Sequence, residues 1–172
     1  MSHADTLAHI EKANTLIAGL DMNANFADLL RQKAEANKQS LAVHFFQSDE
    51  KLTYAEIDEQ TDRLADALMQ MGVRKGTHVA LVTPNSSGFV LSWFAIAKIG
   101  AVMVPVNPTY TVREMTYVLA DSDASYVIYD PMFGAVVDAV KDDSVNIVEE
   151  RMIVLGDGGQ GTPFADVLAR GQ

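Results

Sequence analysis

Few residues in this chain have the type and spacing to do chemistry. Gly156, Gly158 and Gly161 (GDGGQG) fit the pattern G-x-G-x-x-G after an apolar run. In a dinucleotide fold such glycines let the backbone approach a pyrophosphate at a helix N-terminus. Here only eleven residues follow Gly161. That leaves no room for another strand or for an acidic ribose contact about twenty residues on. The loop is therefore expected to be a solvent-exposed, flexible glycine turn. The histidines are His3, His9, His44 and His78. Apart from the poorly placed His3 and His9, no two have metal-ligand spacing on one element, so structural roles are expected. Asp121 with Asp123, and Asp142 with Asp143, are acidic pairs at helix ends. Paired-carboxylate catalysis needs a cleft that splits the two pKa values, and solvated loops are the expectation. There is no cysteine, which excludes a disulfide framework, a thiolate zinc site and a cysteine nucleophile. Neither a G-x-S-x-G elbow nor a G-x-x-x-x-G-K-[ST] phosphate loop occurs. No catalytic, cofactor-binding or metal-binding residue is assigned.

Composition narrows the class. The 172 residues suffice for one domain with a real core, and the chain is 48% hydrophobic and 21% charged, hence globular. The net charge of −10 argues against nucleic acid or an anionic membrane as the main partner, since both need a basic face. The N-terminus lacks the basic-then-apolar pattern of a secretory leader, and a cytoplasmic location is expected.

The elements that position these residues follow from periodicity and punctuation. The most apolar stretch runs from Gly88 to Tyr110, and its nineteen residues to Val106 carry a single charge, Lys98. By length it could span a membrane. Gly100 divides it into a buried helix to about Lys98 and a buried strand through Val106, with Pro105 ending the strand or sitting at an edge. The spacing predicts helices over Asp5–Leu20 and Phe26–Ala36, the latter capped by Asn25. Leu41–Gln47 and Lys51–Tyr54 read as a hairpin around Ser48–Glu50. Thr53 and Glu56 form a capping box for a helix to about Met71, buried along Ile57, Leu64, Leu68 and Met71. Strands are expected at His78–Thr83 and Ser125–Tyr129, with a last one at Arg151–Leu155. Further helices are expected from Thr111, capped with Glu114, to Ala120, then over Phe133–Val140 and Phe164–Arg170. Phe89, Trp93 and Phe94 share the apolar helix and read as core, or as a partner surface if the sheet is incomplete. From residue 76 the order is βαβαβαβα. This predicts an α/β fold: a largely parallel, three-layer sheet with right-handed βαβ crossovers, plus a small N-terminal hairpin.

Several stretches also resemble, in order, the motifs of one family. They are Leu52-Thr-Tyr54-Ala-Glu56-Ile-Asp58, Leu64–Leu68, Gly72–Leu81 and Pro84-Asn85. Ala97-Lys98-Ile-Gly100-Ala101-Val-Met-Val-Pro105-Val-Asn107-Pro108 follows, and then Tyr110, Arg113-Glu114 and Ser125–Ile128. Together they resemble the adenylate-forming superfamily: acyl-CoA synthetases, luciferase-like enzymes and peptide-synthetase adenylation domains. The ending Asn107-Pro108 is more like the acyl-CoA synthetase branch. The resemblance covers about residues 25–155. It implies a parent enzyme that uses ATP and Mg2+ to convert a carboxylic acid to an acyl-adenylate, then transfers the acyl group to coenzyme A. The family's phosphate loop, Tyr-Gly-x-Thr-Glu segment, ribose-binding aspartate and mobile lysine-bearing domain have no counterpart in this sequence, so no catalytic residue is carried over. The resemblance thus implies a helical extension (residues 1–24) and the N-terminal α/β subdomain of an AMP-binding enzyme (25–172), stopping before the phosphate loop. The piece would be a non-catalytic scaffold with no cofactor of its own. Its partners would be the remainder of the parent chain and, for the parent, a carboxylic acid. Self-association through an uncovered apolar face is also expected. The alternative is a stand-alone α/β domain that binds a partner or small molecule without catalysis.

Overall fold

The computed structural model describes residues 3–19, 25–140 and 145–172. Helix α1 (His3–Ala18) is followed by α2 (Phe26–Ala36), strands β1 (Leu41–Phe45) and β2 (Glu50–Thr53), and α3 (Tyr54–Gln70). An alternating run then comprises β3 (His78–Val82), α4 (Ser87–Ile99), β4 (Val102–Pro105), α5 (Val112–Asp121), β5 (Tyr126–Tyr129), α6 (Gly134–Ala139) and β6 (Met152–Val154). A two-residue strand β7 (Thr162–Pro163) and α7 (Phe164–Arg170) complete it. Leu20, Asp142 and Asp143 lie outside the described residues.

Helix starts obey the capping signals. Asn25 accepts from the Asp28 N–H at 2.9 Å, and Thr53 and Thr111 form reciprocal boxes with Glu56 and Glu114. The backbone N–H of each threonine donates to its glutamate, so both carboxyls are held below the usual glutamate value. Gly100 ends α4 at φ 75°, a left-handed conformation that glycine enters without a Cβ penalty.

β1 and β2 pair antiparallel, as the hairpin reading requires. The main sheet is parallel throughout, in the order β4-β3-β5-β6-β7. Because strand side chains alternate, the sheet buries both faces. Val79, Leu81, Tyr126, Ile128 and Ile153 face α3, α4 and α7, through Ile57, Leu64, Leu68, Leu91, Ile96 and Val167. Ala80, Val82, Val127, Tyr129, Met152 and Val154 face α5 and α6, through Met115, Leu119 and Val137. This gives three layers. Each fully buried aliphatic side chain contributes about 1.5–3 kcal/mol. The chain moves from β3 to β4 through α4 on one face, then returns past β3 to β5 through α5 on the other. Direction and face change together, so the crossovers share one hand.

The structure corrects four expectations. The strand of the apolar stretch is not buried along its length: β4 is an edge strand, with Val102 exposed, because β5 takes the other side of β3. Pro105, which lacks an N–H, ends that edge strand. Arg151–Leu155 is not the last strand, since β7 follows it across the glycine loop. The helix read over Phe133–Val140 begins instead as a 3-10 turn, Pro131–Phe133, because Asp130 accepts from the Met132 N–H at 2.9 Å. Of the aromatic residues of α4, Phe89 and Phe94 are half-buried and pack against the core, but Trp93 does not join it. Trp93 is 40% exposed and stacks with Phe26 of α2, itself 42% exposed, at 5.3 Å between ring centroids.

Candidate functional site

In an open parallel sheet, ligands bind beyond the carboxyl ends of the strands, where the winding direction reverses. Here that place lies between β3 and β5. The N-terminus of α4 (Ser86, Ser87, Gly88) faces Asp130 after β5, Leu155 and Gly156 after β6, and Phe164 and Ala165 of α7, around a cleft of about 290 Å³. On its other side Ser86, with Pro84 and Asn85, borders a second cleft of about 570 Å³ closed by residues 44–50 of the hairpin.

The polar groups around these clefts are mostly occupied by the fold. The Ser86 Oγ accepts from the Phe89 N–H at 3.2 Å as the cap of α4. Thr83 is buried and donates to the Pro84 carbonyl at 3.1 Å. In the hairpin, Asp49 lies 2.7 Å from His44 Nε2 and 2.8 Å from Lys51 Nζ. The Lys51 ammonium first, and His44 second, hold the Asp49 carboxyl below the usual range. This is an exposed turn pairing around a residue at φ 53°.

The residues singled out by sequence fall apart in space. His44 belongs to the hairpin, whereas His78 starts β3 with its Nδ1 against the Ser122 carbonyl. His9 is exposed on α1. No group of three or more His, Cys, Asp or Glu with metal-binding geometry occurs among the described residues. Among those residues, too, no helix is long and apolar enough to cross a membrane.

The glycine pattern does not form a phosphate cradle. Gly156, Gly158, Gly159 and Gly161 all have φ between 89° and 113°. A Cβ on Gly159 would lie 2.6 Å from the Tyr129 hydroxyl, and one on Gly161 would lie 2.3 Å from the Met152 carbonyl oxygen. Both glycines are thus explained by contacts within the chain. The loop leads into β7 rather than directly into a helix, so the residues present do not fit a nucleotide's phosphates.

The apolar motif is likewise absorbed by the fold. The Lys98 side chain is 5% exposed, and its Nζ donates to the Asp58 carbonyl at 2.9 Å, to Asp58 Oδ1 at 2.7 Å and to Asp62 Oδ1 at 2.7 Å. All three ammonium donors are used, locking α4 onto α3. Arg31 of α2 reaches the same Asp62 oxygen at 3.7 Å. Asn107 Oδ1 accepts from the Thr109 N–H at 3.0 Å and from its hydroxyl at 2.9 Å, turning the chain after β4. Sequence reasoning missed the Lys98 clamp, although its signal was present. A lone charge in an apolar helix needs a counter-charge, and Asp58 and Asp62 stand four apart on α3.

The family model described as AMP-binding enzyme matches residues 30–163. The long-chain-fatty-acid–CoA ligase FadD13 of Mycobacterium tuberculosis is 36% identical over 117 residues, covering 68% of this chain and 23% of that protein. The chain therefore spans about a quarter of the length of that relative. The crystal structure of the N-terminal domain of FACL13 from Mycobacterium tuberculosis superposes with a TM-score of 0.75 at 30% identity, covering 87% of this chain and 37% of that one. The anthranilate CoA ligase AuaEII, solved in complex with anthranoyl-AMP, superposes with a TM-score of 0.81 at 26% identity, over 90% of this chain and 29% of that one. With most of its length matched by the family model, this chain belongs to the AMP-binding enzyme family.

Proposed function

We propose that this chain is the N-terminal scaffold of an ATP-dependent carboxylic acid–CoA ligase, and that it carries no catalytic residue itself. The supporting observation is the family match over residues 30–163, together with a fold in which the motif residues Lys98, Gly100, Pro105 and Asn107 are each engaged in structure. In this reading residues 25–172 are the first α/β subdomain and residues 1–24 an extension. The parent enzyme would join a carboxylic acid to coenzyme A, as the relatives named CoA ligases do, with ATP and Mg2+ as the family resemblance implies. The carboxyl edge of the sheet would supply one wall of the reaction chamber, and the groups that contact nucleotide and acid would come from the remainder of the parent.

Two measurements test this. The 172-residue chain alone should show no ATP–pyrophosphate exchange with any carboxylic acid; exchange above background would overturn the scaffold assignment. A chimera carrying residues 30–163 in place of the matching segment of FadD13 should keep acid-dependent AMP release. A folded but inactive chimera would instead favour a stand-alone binding domain, for which the 290 Å³ cleft formed wholly within this chain is the candidate site.

A further inference from the structure

Helix α1 and one apolar face of the body are both left without a partner. Residues 9–15 of α1 are all exposed, and Ile10 keeps 51% of its surface in water. Neither apolar core draws a residue from α1. A helix of sixteen residues takes most of its stability from packing, and Leu7, Ile10 and Ile17 recur at the spacing of one helical face. On the body, Phe26 and Leu29 of α2 and Trp93 of α4 are 42%, 44% and 40% exposed. The Phe26 ring stacks on Trp93 at 5.3 Å and on Phe94 at 4.6 Å, which makes these residues one patch. Charge matches as well. Lys33 continues the Phe26–Leu29 stripe by one turn, Glu11 follows Ile10 on α1, and both are exposed. Among the described residues neither joins an ion pair. Helix α1 also precedes residues 30–163, which the family model matches, so the family's common body does not account for it.

We propose that α1 of one copy packs its Leu7–Ile10–Ile17 face on the Phe26–Leu29–Trp93 patch of a second copy, and the reverse, giving a two-fold dimer held by exchanged helices. A single chain leaves both surfaces bare. Two chains cover both pairs of surfaces at once, and Glu11 meets Lys33 twice. None of these residues lines the 290 Å³ cleft, so the inference is separate from the ligase reading.

Sedimentation velocity of the full chain, read together with the emission of Trp93, the sole tryptophan, tests this. The expected result is a dimer at micromolar concentration whose Trp93 emission shifts to the red on dilution. Deleting residues 1–18 takes nothing from either core and should give a folded monomer with red-shifted emission. Glu11→Lys and Lys33→Glu should each weaken the dimer about two- to thirtyfold, the scale of two exposed ion pairs. An equimolar mixture of those two variants should recover the original affinity, because each exchanged helix then meets an opposite charge. A monomer at high concentration would overturn the proposal, whether Trp93 is covered by α1 of its own chain or left bare for the remainder of the parent. A dimer that survives loss of residues 1–18 would overturn it too, as would a mixture no tighter than its components.

Discussion

Replacing Lys98 with methionine keeps the aliphatic stem and removes only the ammonium. Three acceptors lose their donor, at 2.9, 2.7 and 2.7 Å. Breaking a fully buried ion pair costs about 3–5 kcal/mol, mostly from the charge left behind. Here the orphaned groups are not equally buried. The Asp58 side chain is 19% exposed and recovers little water, whereas Asp62 is 49% exposed and keeps Arg31 nearby. The loss should therefore fall below that range, at about 2–3 kcal/mol. For a chain of this length it corresponds to a fall in Tm of roughly 4–12 °C. Urea unfolding followed by the sole tryptophan, Trp93 on the same helix, measures it. Adding Asp58→Asn to Lys98→Met removes the stranded carboxylate and should restore about 1 kcal/mol. A loss below about 0.5 kcal/mol, the scale of an exposed pair, would refute the clamp. A double variant no more stable than the single one would show that the stranded charge is not the cause.

Three further outcomes follow from other sites. Glu56 and Glu114 are held below the ordinary value of 4.5 in the folded chain, so their contribution is present above that value and is lost as pH falls through the lowered folded values. Glu56→Gln with Glu114→Gln should flatten the acid limb of a stability–pH curve, and an unchanged limb would refute it. Ser92 is fully buried in α4 with an Oγ that has no hydrogen-bond partner. Ser92→Ala should be neutral or stabilising by up to about 1 kcal/mol in urea unfolding, so a marked loss would reveal a missed partner. Calorimetric titration with NAD should show no saturable binding at micromolar concentration, because Gly161 is packed against the Met152 carbonyl and the loop leads into β7 rather than into a helix N-terminus.

The parts of the fold that were legible in sequence are those written in local chemistry. Asn25, Thr53 and Thr111 announce their helices through the side chain that caps them, and Gly100 announces where α4 must stop. The continuous apolar runs of β3 and β5 signal strands buried on both faces. Strand order was not legible. Nothing local to Val102–Pro105 says that β5, and not β4, takes the interior side of β3; only Pro105 hints at an edge. Nor could β7 be read from two residues, since its pairing depends on glycine conformations that bring Gly161 against Met152. At the candidate site, the serine and histidine of the clefts are visible as letters. Their engagement in capping and turn pairing emerges only from geometry.

The central position of β3 also sets an order of assembly. Its partner β4 lies one helix away along the chain, as Val79 with Met103 shows, whereas β5 meets Val79 only at Tyr126. Closing the shorter loop costs less entropy, so the β3–α4–β4 unit is the natural nucleus and β5 docks onto an edge already built. Lesions in α4 should then slow refolding, while lesions at β7 or α7 should mainly hasten unfolding, a division that stopped-flow kinetics can read. During synthesis the stretch Gly88–Val106, the most apolar in the chain, would be sequestered within its own βαβ unit before the second half of the sheet exists.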